Sequence, residues 1–207
     1  MAIRMAQALR PDPDPQPFAT NADSAITQEV RNRTIWSCFT MDRLLSCGKG
    51  RPSIFVSTEM QIPLPLSELD YAFGDVKEQR RLLRTMISDP ELFEAQLSIQ
   101  DHFTIILRGI DIWATLAKWS NNGSSKRQYN PEDCPWLPTS TWNKINRDIN
   151  TWRTYQEERV KYSPIRVTAQ MHQGHPEAFA FINLLYYLWY DSQFLPCQHA
   201  SLKQVFE

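Results

Sequence analysis

An apolar stripe between residues 99 and 117 constrains the fold of this chain more than any other feature. Its members recur at alternating spacings of four and three residues, the period of one helix face: Ile99, Phe103, Ile106, Ile110, Trp113 and Ala117. Asp89–Glu91 offers a capping carboxylate and a first-turn proline, and Asn121–Gly123 is a stop signal. We therefore predict a long amphipathic helix from residue 89 to about residue 120, with other helices packed against it.

Five further segments are predicted to be helical from their apolar spacing and from the prolines and glycines that flank them: 1–9, 24–47, 76–87, 140–161 and 176–194. Residues 11–23 and 120–138 are predicted to be internal loops, and 53–75 an ordered loop with about one helical turn. The 207 residues contain only 6 glycines, which argues against a turn-dense β-sandwich. We predict a single all-α, multi-helix domain spanning residues 1–207.

The predicted helix at 24–47 differs from the others, because its apolar residues do not form one narrow stripe. They spread around much of the circumference: Val30, Trp36, Phe39, Met41, Leu44 and Leu45. This pattern is typical of a helix buried between others, so we expect several neighbours around it.

The charge balance argues against direct DNA binding by this chain. It has 22 lysines and arginines against 23 aspartates and glutamates, whereas a domain that grips a phosphate backbone is usually basic. The most apolar run, 178–190, is shorter than the roughly 20 residues that span a bilayer. We therefore predict neither a DNA-reading domain nor a membrane protein.

No residue pattern indicates a cofactor, a metal or a catalytic centre. Cys38, Cys47, Cys134 and Cys197 lack paired spacing and are interpreted as reduced thiols. The possible metal ligands His172, His175, Cys197 and His199 lack a second closely spaced pair, so no site is predicted. Residues 48–53 are glycine-rich but do not have the spacing of a phosphate-binding loop. We predict that the chain is not an enzyme.

The segment 31–65 carries a combination of motifs. It contains Arg31-Asn32-Arg33-Thr34-Ile35-Trp36, then Phe39, Asp42-Arg43, Gly50-Arg51-Pro52, Glu59 and Ile62-Pro63-Leu64-Pro65, with Phe73-Gly74 beyond it. This combination resembles the fungal-specific transcription factor domain, the middle homology region of fungal zinc-cluster proteins. Residues 2–9 resemble the helix that precedes it. The specific likeness covers about a third of the chain.

The resemblance implies an all-α regulatory domain in the nucleus that modulates transcription by RNA polymerase II. It also implies that zinc and DNA contacts belong to a separate N-terminal module, so that no cysteine of this chain is a zinc ligand. Proteins of the transcription machinery or a co-regulator are the expected partners, and a homodimer is possible. The alternative is a stand-alone helical interaction scaffold without DNA-binding activity.

The start of the chain gives a further expectation. The predicted first helix has no capping residue, and the resemblance begins at residue 2. We expect an N-terminally truncated domain whose exposed apolar surface promotes association.

Six residues of the motif are the candidate site residues: Trp36, Asp42, Arg43, Gly50, Arg51 and Pro52. We interpret them as structural, with Trp36 in the core and Asp42 and Arg43 in a buried ionic network that includes Arg51. The alternative for the Asp-Arg pair is a switch or an effector contact.

Two other features have a structural and a functional interpretation. The basic residues Lys77, Arg80, Arg81 and Arg84 indicate a solvated helix face, or else a contact to DNA or an acidic partner. The tryptophan and phenylalanine stripes indicate core packing, or else a site for a small inducer.

Overall fold

The computed structural model describes residues 22–47, 51–75, 82–88, 96–125, 137–172 and 174–192. The helices in these ranges are α1 (Ala22–Cys47), α2 (Glu68–Phe73), α3 (Leu83–Ser88), α4 (His102–Ser125), α5 (Thr141–Thr154), α6 (Val167–Met171) and α7 (Pro176–Ser192). Two 3-10 turns, Ser57–Glu59 and Ile99–Asp101, complete the order. Across the described ranges there is no strand and only two isolated bridges. The all-α prediction is confirmed.

The central helix of the fold is α4, which packs against α1, α5 and α7. Ile105, Leu107 and Ile110 of α4 are fully inaccessible to solvent, and so are Trp36 of α1 and Ile182 of α7. Burial of these large side chains supplies most of the stabilisation that holds the helices together, at roughly 1.5–3 kcal/mol each. The apolar stripe at 99–117 therefore lies at the centre of the fold, as its length and period predict.

The two ends of α4 differ from the prediction. A 3-10 turn precedes it, and the turn is closed by a capping box in which Ser98 and Asp101 each bond the other's backbone amide. The predicted start at 89–91 lies outside the described residues, and residues 96–98 are not helical. At the other end α4 continues to Ser125, so the predicted loop at 120–138 is wrong for 120–125. The residues of the predicted stop signal, Asn121–Gly123, have helix-propensity penalties of at most ~1 kcal/mol each. Such penalties do not stop a helix that is already propagating.

The prediction for α1 is wrong in two respects. The helix begins at Ala22, inside the loop predicted for 11–23 and two residues before the predicted start at residue 24. It is also buried on one side only. Four of its apolar side chains face solvent with exposed fractions of 42% to 60%: Val30, Met41, Leu44 and Leu45. The helix surrounded by neighbours is α4. The inner face of α1 carries charged as well as apolar residues, since Glu29, Asp42 and Arg43 are buried together with Trp36 and Phe39.

The α5 helix ends at Thr154, so its predicted extension to Lys161 is wrong. Beyond it the chain pairs with Leu97, whose carbonyl accepts a hydrogen bond from the amide of Glu157 at 3.0 Å. A backbone that bonds to a distant segment cannot also continue the helix. The short helix α6 was not predicted. The α7 helix agrees with the predicted 176–194 as far as Ser192.

The remaining predictions concern the connections. Within 53–75 the structure has a 3-10 turn and α2, which is more helix than the single turn predicted. The described part of the predicted helix at 76–87 is α3. The predicted helix at 1–9 and most of the loop at 11–23 lie outside the described residues.

Candidate functional site

Trp36 joins α1 to the extended segment at 60–66. Its indole ring is fully buried, and its Nε1 donates a hydrogen bond to the carbonyl of Pro63 at 2.7 Å. The ring of Phe39 meets it edge-on at 5.3 Å, and the guanidinium of Arg43 lies 4.5 Å from the centre of the Phe39 ring. The Trp36 position in the motif is thus a packing and hydrogen-bonding anchor.

Asp42 and Arg43 hold the backbone that follows α1. The Oδ2 atom of Asp42 accepts hydrogen bonds from the amides of Ile54 at 2.9 Å and Phe55 at 3.1 Å. Arg43 donates from Nη1 to the carbonyl of Phe55 at 2.9 Å and from Nε to Oδ1 of Asp111 at 3.0 Å. Both side chains are buried, and hydrogen bonds to charged groups of this kind are about twice as strong as neutral ones.

This arrangement continues across the core. The other oxygen of Asp111 lies 3.3 Å from Nη1 of Arg108, and Nη2 of Arg108 lies 3.6 Å from Oδ1 of Asp148 on α5. We call the set the core ion network: Asp42, Arg43, Arg108, Asp111 and Asp148. It connects α1, α4 and α5 through alternating charges. A buried charge is tolerated only when such partners surround it.

Sequence reasoning missed three members of the core ion network. Arg108 and Asp111 lie three residues apart in a run that is otherwise apolar, and this interruption was the available signal. A charged pair inside an apolar helix indicates a buried partner elsewhere. Asp148 gives no such signal, because it is one of several polar residues on α5.

A second group of charges lies towards the start of α1. Glu29 is fully buried, and its Oε1 accepts hydrogen bonds from the amide of Leu66 at 2.9 Å and from Nε of Arg33 at 3.1 Å. Arg33 also donates to Oε1 of Glu68 at 2.8 Å and to the carbonyl of Leu66 at 3.0 Å, and it stacks 4.0 Å from the Tyr71 ring centre. This group fixes α2 against α1. Its residues were not singled out as site candidates.

His102 borders this second group. Its Nδ1 lies 3.0 Å from the carbonyl of Ile99, and its Nε2 lies 4.0 Å from Glu68. The His175 ring is 5.2 Å away, on a backbone with a left-handed φ of 73°. Burial lowers the pKa of His102, and this outweighs the opposing effects of the Ile99 carbonyl and of Glu68. His102 is therefore held towards its neutral form.

The structure separates the motif residues. Trp36, Asp42 and Arg43 are buried, whereas Arg51 and Pro52 are exposed and Gly50 lies outside the described residues. Asp42 and Arg43 contact the Asp111 carboxylate, the amide of Ile54 and the hydroxyl of Ser57. The prediction that their network includes Arg51 is therefore wrong.

The other candidates are also dispersed. His172 is exposed and His175 is half-buried, while Cys197 and His199 lie outside the described part of the chain. Within the described ranges no three histidine, cysteine or acidic side chains are grouped to hold a metal. Cys38 and Cys47 are both half-buried. Of the basic cluster only Arg84 is described, and its side chain is exposed.

A narrow apolar cleft lies between α4, α5 and α7. Its walls include the rings of three tryptophans, and no charged side chain is among its lining residues: Gly109, Ile112, Trp113, Leu116, Ile149, Trp152, Leu185 and Trp189. A Cβ atom added at Gly109 would approach Leu185 to 2.7 Å. The glycine therefore allows α4 and α7 to approach closely. The aromatic stripes serve mainly as core in the described structure.

These features define a helical domain organised around buried charge networks. The sequence matches the model of the fungal specific transcription factor domain over residues 1–154, a range that includes α1 to α5. The chain belongs to this family. The matched range includes the core ion network and the second group of charges, which contains Glu29, Arg33 and Glu68.

Similar proteins are regulators of transcription. A Zn(2)-C6 fungal-type transcription factor, FTF1c, of Fusarium oxysporum f. sp. lycopersici is 27% identical over 194 residues, covering 88% of this chain and 20% of that protein. A transcriptional regulatory protein of Schizosaccharomyces pombe is 26% identical over 206 residues, covering 90% of this chain and 24% of the relative. The chain thus spans about a fifth to a quarter of the length of these relatives. No solved structure shows a significant match.

The family is one of transcription factors, which are not a class of enzymes. Within the described residues, no helix combines the length and apolar character needed to cross a bilayer.

Proposed function

We propose that this chain is the regulatory domain of a nuclear fungal transcription factor and modulates RNA polymerase II transcription without reading DNA itself. The family match over residues 1–154 carries the proposal. DNA contact and zinc binding belong to a zinc-cluster module of such a factor, and the partners of this domain are proteins of the transcription machinery or a co-regulator. Motif residues Trp36, Asp42 and Arg43 have a structural role in it.

The core ion network supports this role. Because each buried charge needs its partners, the network is stable when complete and costly when one member is displaced. Arg43 and Arg108 therefore couple the position of α1 to that of α5. Networks of ionic and packed contacts of this kind are one physical means by which a binding event at one surface affects another.

The alternative is a stand-alone helical scaffold that binds proteins but has no DNA-binding module. The exposed apolar side chains of α1 favour a protein-binding role under either reading. The two are distinguished by whether the gene encodes six closely spaced cysteines upstream of Met1, as a zinc-cluster module requires.

A tethering experiment tests the proposed function. Residues 1–207 are fused to a heterologous DNA-binding module and assayed on a nuclear reporter in a fungal host. We expect reporter output to differ from that of the module alone, and Arg43→Ala to abolish the difference, while Arg51→Ala on the exposed surface preserves it. A fusion that accumulates in the nucleus and leaves the reporter unchanged would contradict the proposal.

A further inference from the structure

Arg153, in the last turn of α5, is a half-buried cation without an ionic partner in the described part of the chain. Its Nε atom is buried and has no hydrogen-bond partner there. The carboxylate of Glu158, beyond the end of the helix, pairs instead with Lys161 at 3.2 Å and with Arg166 at 3.5 Å. Arg153 thus lacks the acceptor that normally compensates a cation for the loss of water.

Aromatic rings flank the guanidinium of Arg153. Its Cζ atom lies 4.9 Å from the ring centre of Trp189 and 5.8 Å from that of Tyr186, both on α7. The ring of Tyr190 continues the group, with its centre 4.7 Å from Trp189 and 6.4 Å from Tyr162. We call these five residues the aromatic–arginine patch. Arginine, tryptophan and tyrosine are the residues that contribute most often to the binding energy of protein interfaces.

The rings hold Arg153 without neutralising it. A guanidinium over an aromatic ring uses its face, whereas its N–H donors lie in its plane and point outward. Burial raises the pKa of the Tyr186 hydroxyl above its ordinary value, and this outweighs the opposing effect of Arg153. The same hydroxyl donates to Oε1 of Gln156 at 3.0 Å. Tyr186 is therefore a neutral neighbour, and a carboxylate from outside the patch can accept the N–H donors of Arg153.

The surroundings of the patch favour an acidic protein segment. The range 153–166 has four basic side chains against two acidic ones, an excess of positive charge in a chain whose net charge is −1. Such an excess attracts anionic partners and repels cationic ones. Tyr190 is 45% exposed, and Trp189 and Tyr162 are half-buried, so the rings form an open surface. Small molecules bind in concave pockets that enclose most of their surface, and an open patch suits a polypeptide better.

We propose that the aromatic–arginine patch binds a segment of a partner protein in which acidic side chains alternate with apolar ones. A carboxylate of the segment accepts hydrogen bonds from Arg153, and its apolar side chains cover the exposed parts of Trp189 and Tyr190. The complex supplies the acceptor that Arg153 lacks in the described chain. This inference rests on the proposed function, because it gives the chemistry of a protein partner for the regulatory domain.

Fluorescence anisotropy with a short labelled peptide tests the proposal. The probe alternates glutamate with leucine and phenylalanine, and two further probes carry glutamine or lysine in place of glutamate. We expect the acidic probe to bind residues 1–207 with an affinity that falls as salt is added. The glutamine and lysine probes are expected to bind at least about tenfold more weakly, since neither offers a carboxylate to the guanidinium.

Variants of the chain test the role of Arg153. Arg153→Gln removes the charge and is expected to weaken the acidic probe at least about tenfold. Arg153→Lys retains the charge but not the planar fork, so we expect an intermediate affinity. Arg159→Gln makes the same change of charge at an exposed position and is the matched control, expected to stay within about twofold. Circular dichroism melts verify that all three variants fold.

Three outcomes overturn the proposal: equal binding of the three probes, equal affinity of the Arg153→Gln and Arg159→Gln chains, or displacement of the probe by phenylacetate as readily as by unlabelled peptide. The last outcome would assign the patch to a small carboxylate. Peptide binding is measured without a reporter gene. Its failure beside an intact reporter response therefore refutes this inference alone, whereas an unchanged reporter beside intact peptide binding refutes the proposed function alone.

Discussion

Arg43 and Asp111 are 68 residues apart in the sequence, yet Nε of the first lies 3.0 Å from Oδ1 of the second inside the core. Arg43 belongs to α1 and Asp111 to the central helix α4, so their pairing fixes the packing of the two helices. The same guanidinium holds the carbonyl of Phe55, which ties the segment after α1 to this junction. The Asp-Arg pair of the family motif is therefore explained by a tertiary contact.

Arg43→Ala is expected to destabilise the fold by ~3–5 kcal/mol, because it leaves the carboxylate of Asp111 buried with less compensation. Urea denaturation followed by circular dichroism measures the change. Arg51→Ala, at an exposed position, is the control and is expected to stay within ~0.5 kcal/mol of the unaltered chain. A loss below ~1 kcal/mol for Arg43→Ala would show that the network adds little to stability.

Trp36→Ala is expected to cost ~3–5 kcal/mol, since it empties a fully buried aromatic site. Trp36→Phe retains much of the ring but removes the indole donor to Pro63, and we expect a smaller loss of ~1–3 kcal/mol from the unsatisfied carbonyl. Urea melts of both variants establish the order. Equal losses would mean that the hydrogen bond, rather than the ring, accounts for the stability.

Gly109→Ala is expected to destabilise the fold by ~1–3 kcal/mol, although alanine favours helices by up to ~1 kcal/mol over glycine. The added Cβ would lie 2.7 Å from Cδ1 of Leu185 and 3.0 Å from Cζ2 of Trp152. Gly174→Ala is a suitable comparison, because no atom lies within 4 Å of its added Cβ. Thermal melts that show Gly109→Ala to be neutral or stabilising would indicate that α4 and α7 are less closely packed.

Stability is expected to fall as the pH drops through the range where His102 titrates. Burial lowers the pKa of His102, so the unfolded chain, with a pKa near 6.5, takes up the proton first. The free energy of unfolding therefore decreases as the pH falls from about 7 to the lowered pKa of the folded state. His102→Gln should flatten the dependence of the melting temperature on pH between 7.5 and 5. His175→Gln alters the neighbouring histidine and is the control, and an equal flattening there would contradict the assignment to His102.

Residues 1–207 are expected to show no sequence-selective DNA binding at physiological salt. The formal net charge is −1, and no motif for reading bases was found in the sequence. A gel-shift assay with a pool of random duplexes measures this, and a fusion to a zinc-cluster module is the positive control. A nanomolar shift that survives competition by unrelated DNA would assign DNA reading to this domain itself.

Local patterns in the sequence determined a large part of the fold. The stripe from Ile99 to Ala117 predicts α4, and the run after Pro176 predicts α7, because the 3.6-residue period and proline position act within a few residues along the chain. The motif around Trp36 and Asp42-Arg43 also sufficed to recognise the family. These inferences need no knowledge of what lies opposite each helix.

Tertiary structure decided which side of α1 is buried and which charges meet. The inner side of α1 carries Glu29, Asp42 and Arg43, and these charges are tolerated there because Leu66, Phe55 and Asp111 supply partners. A sequence shows the spacing of side chains on one helix but not the partner that a distant segment provides. For the same reason the stop after Thr154 was missed, since Glu157 bonds to Leu97 across 60 residues. A buried charge is tolerated only where a partner compensates it, and the fold alone brings the charge and its partner together.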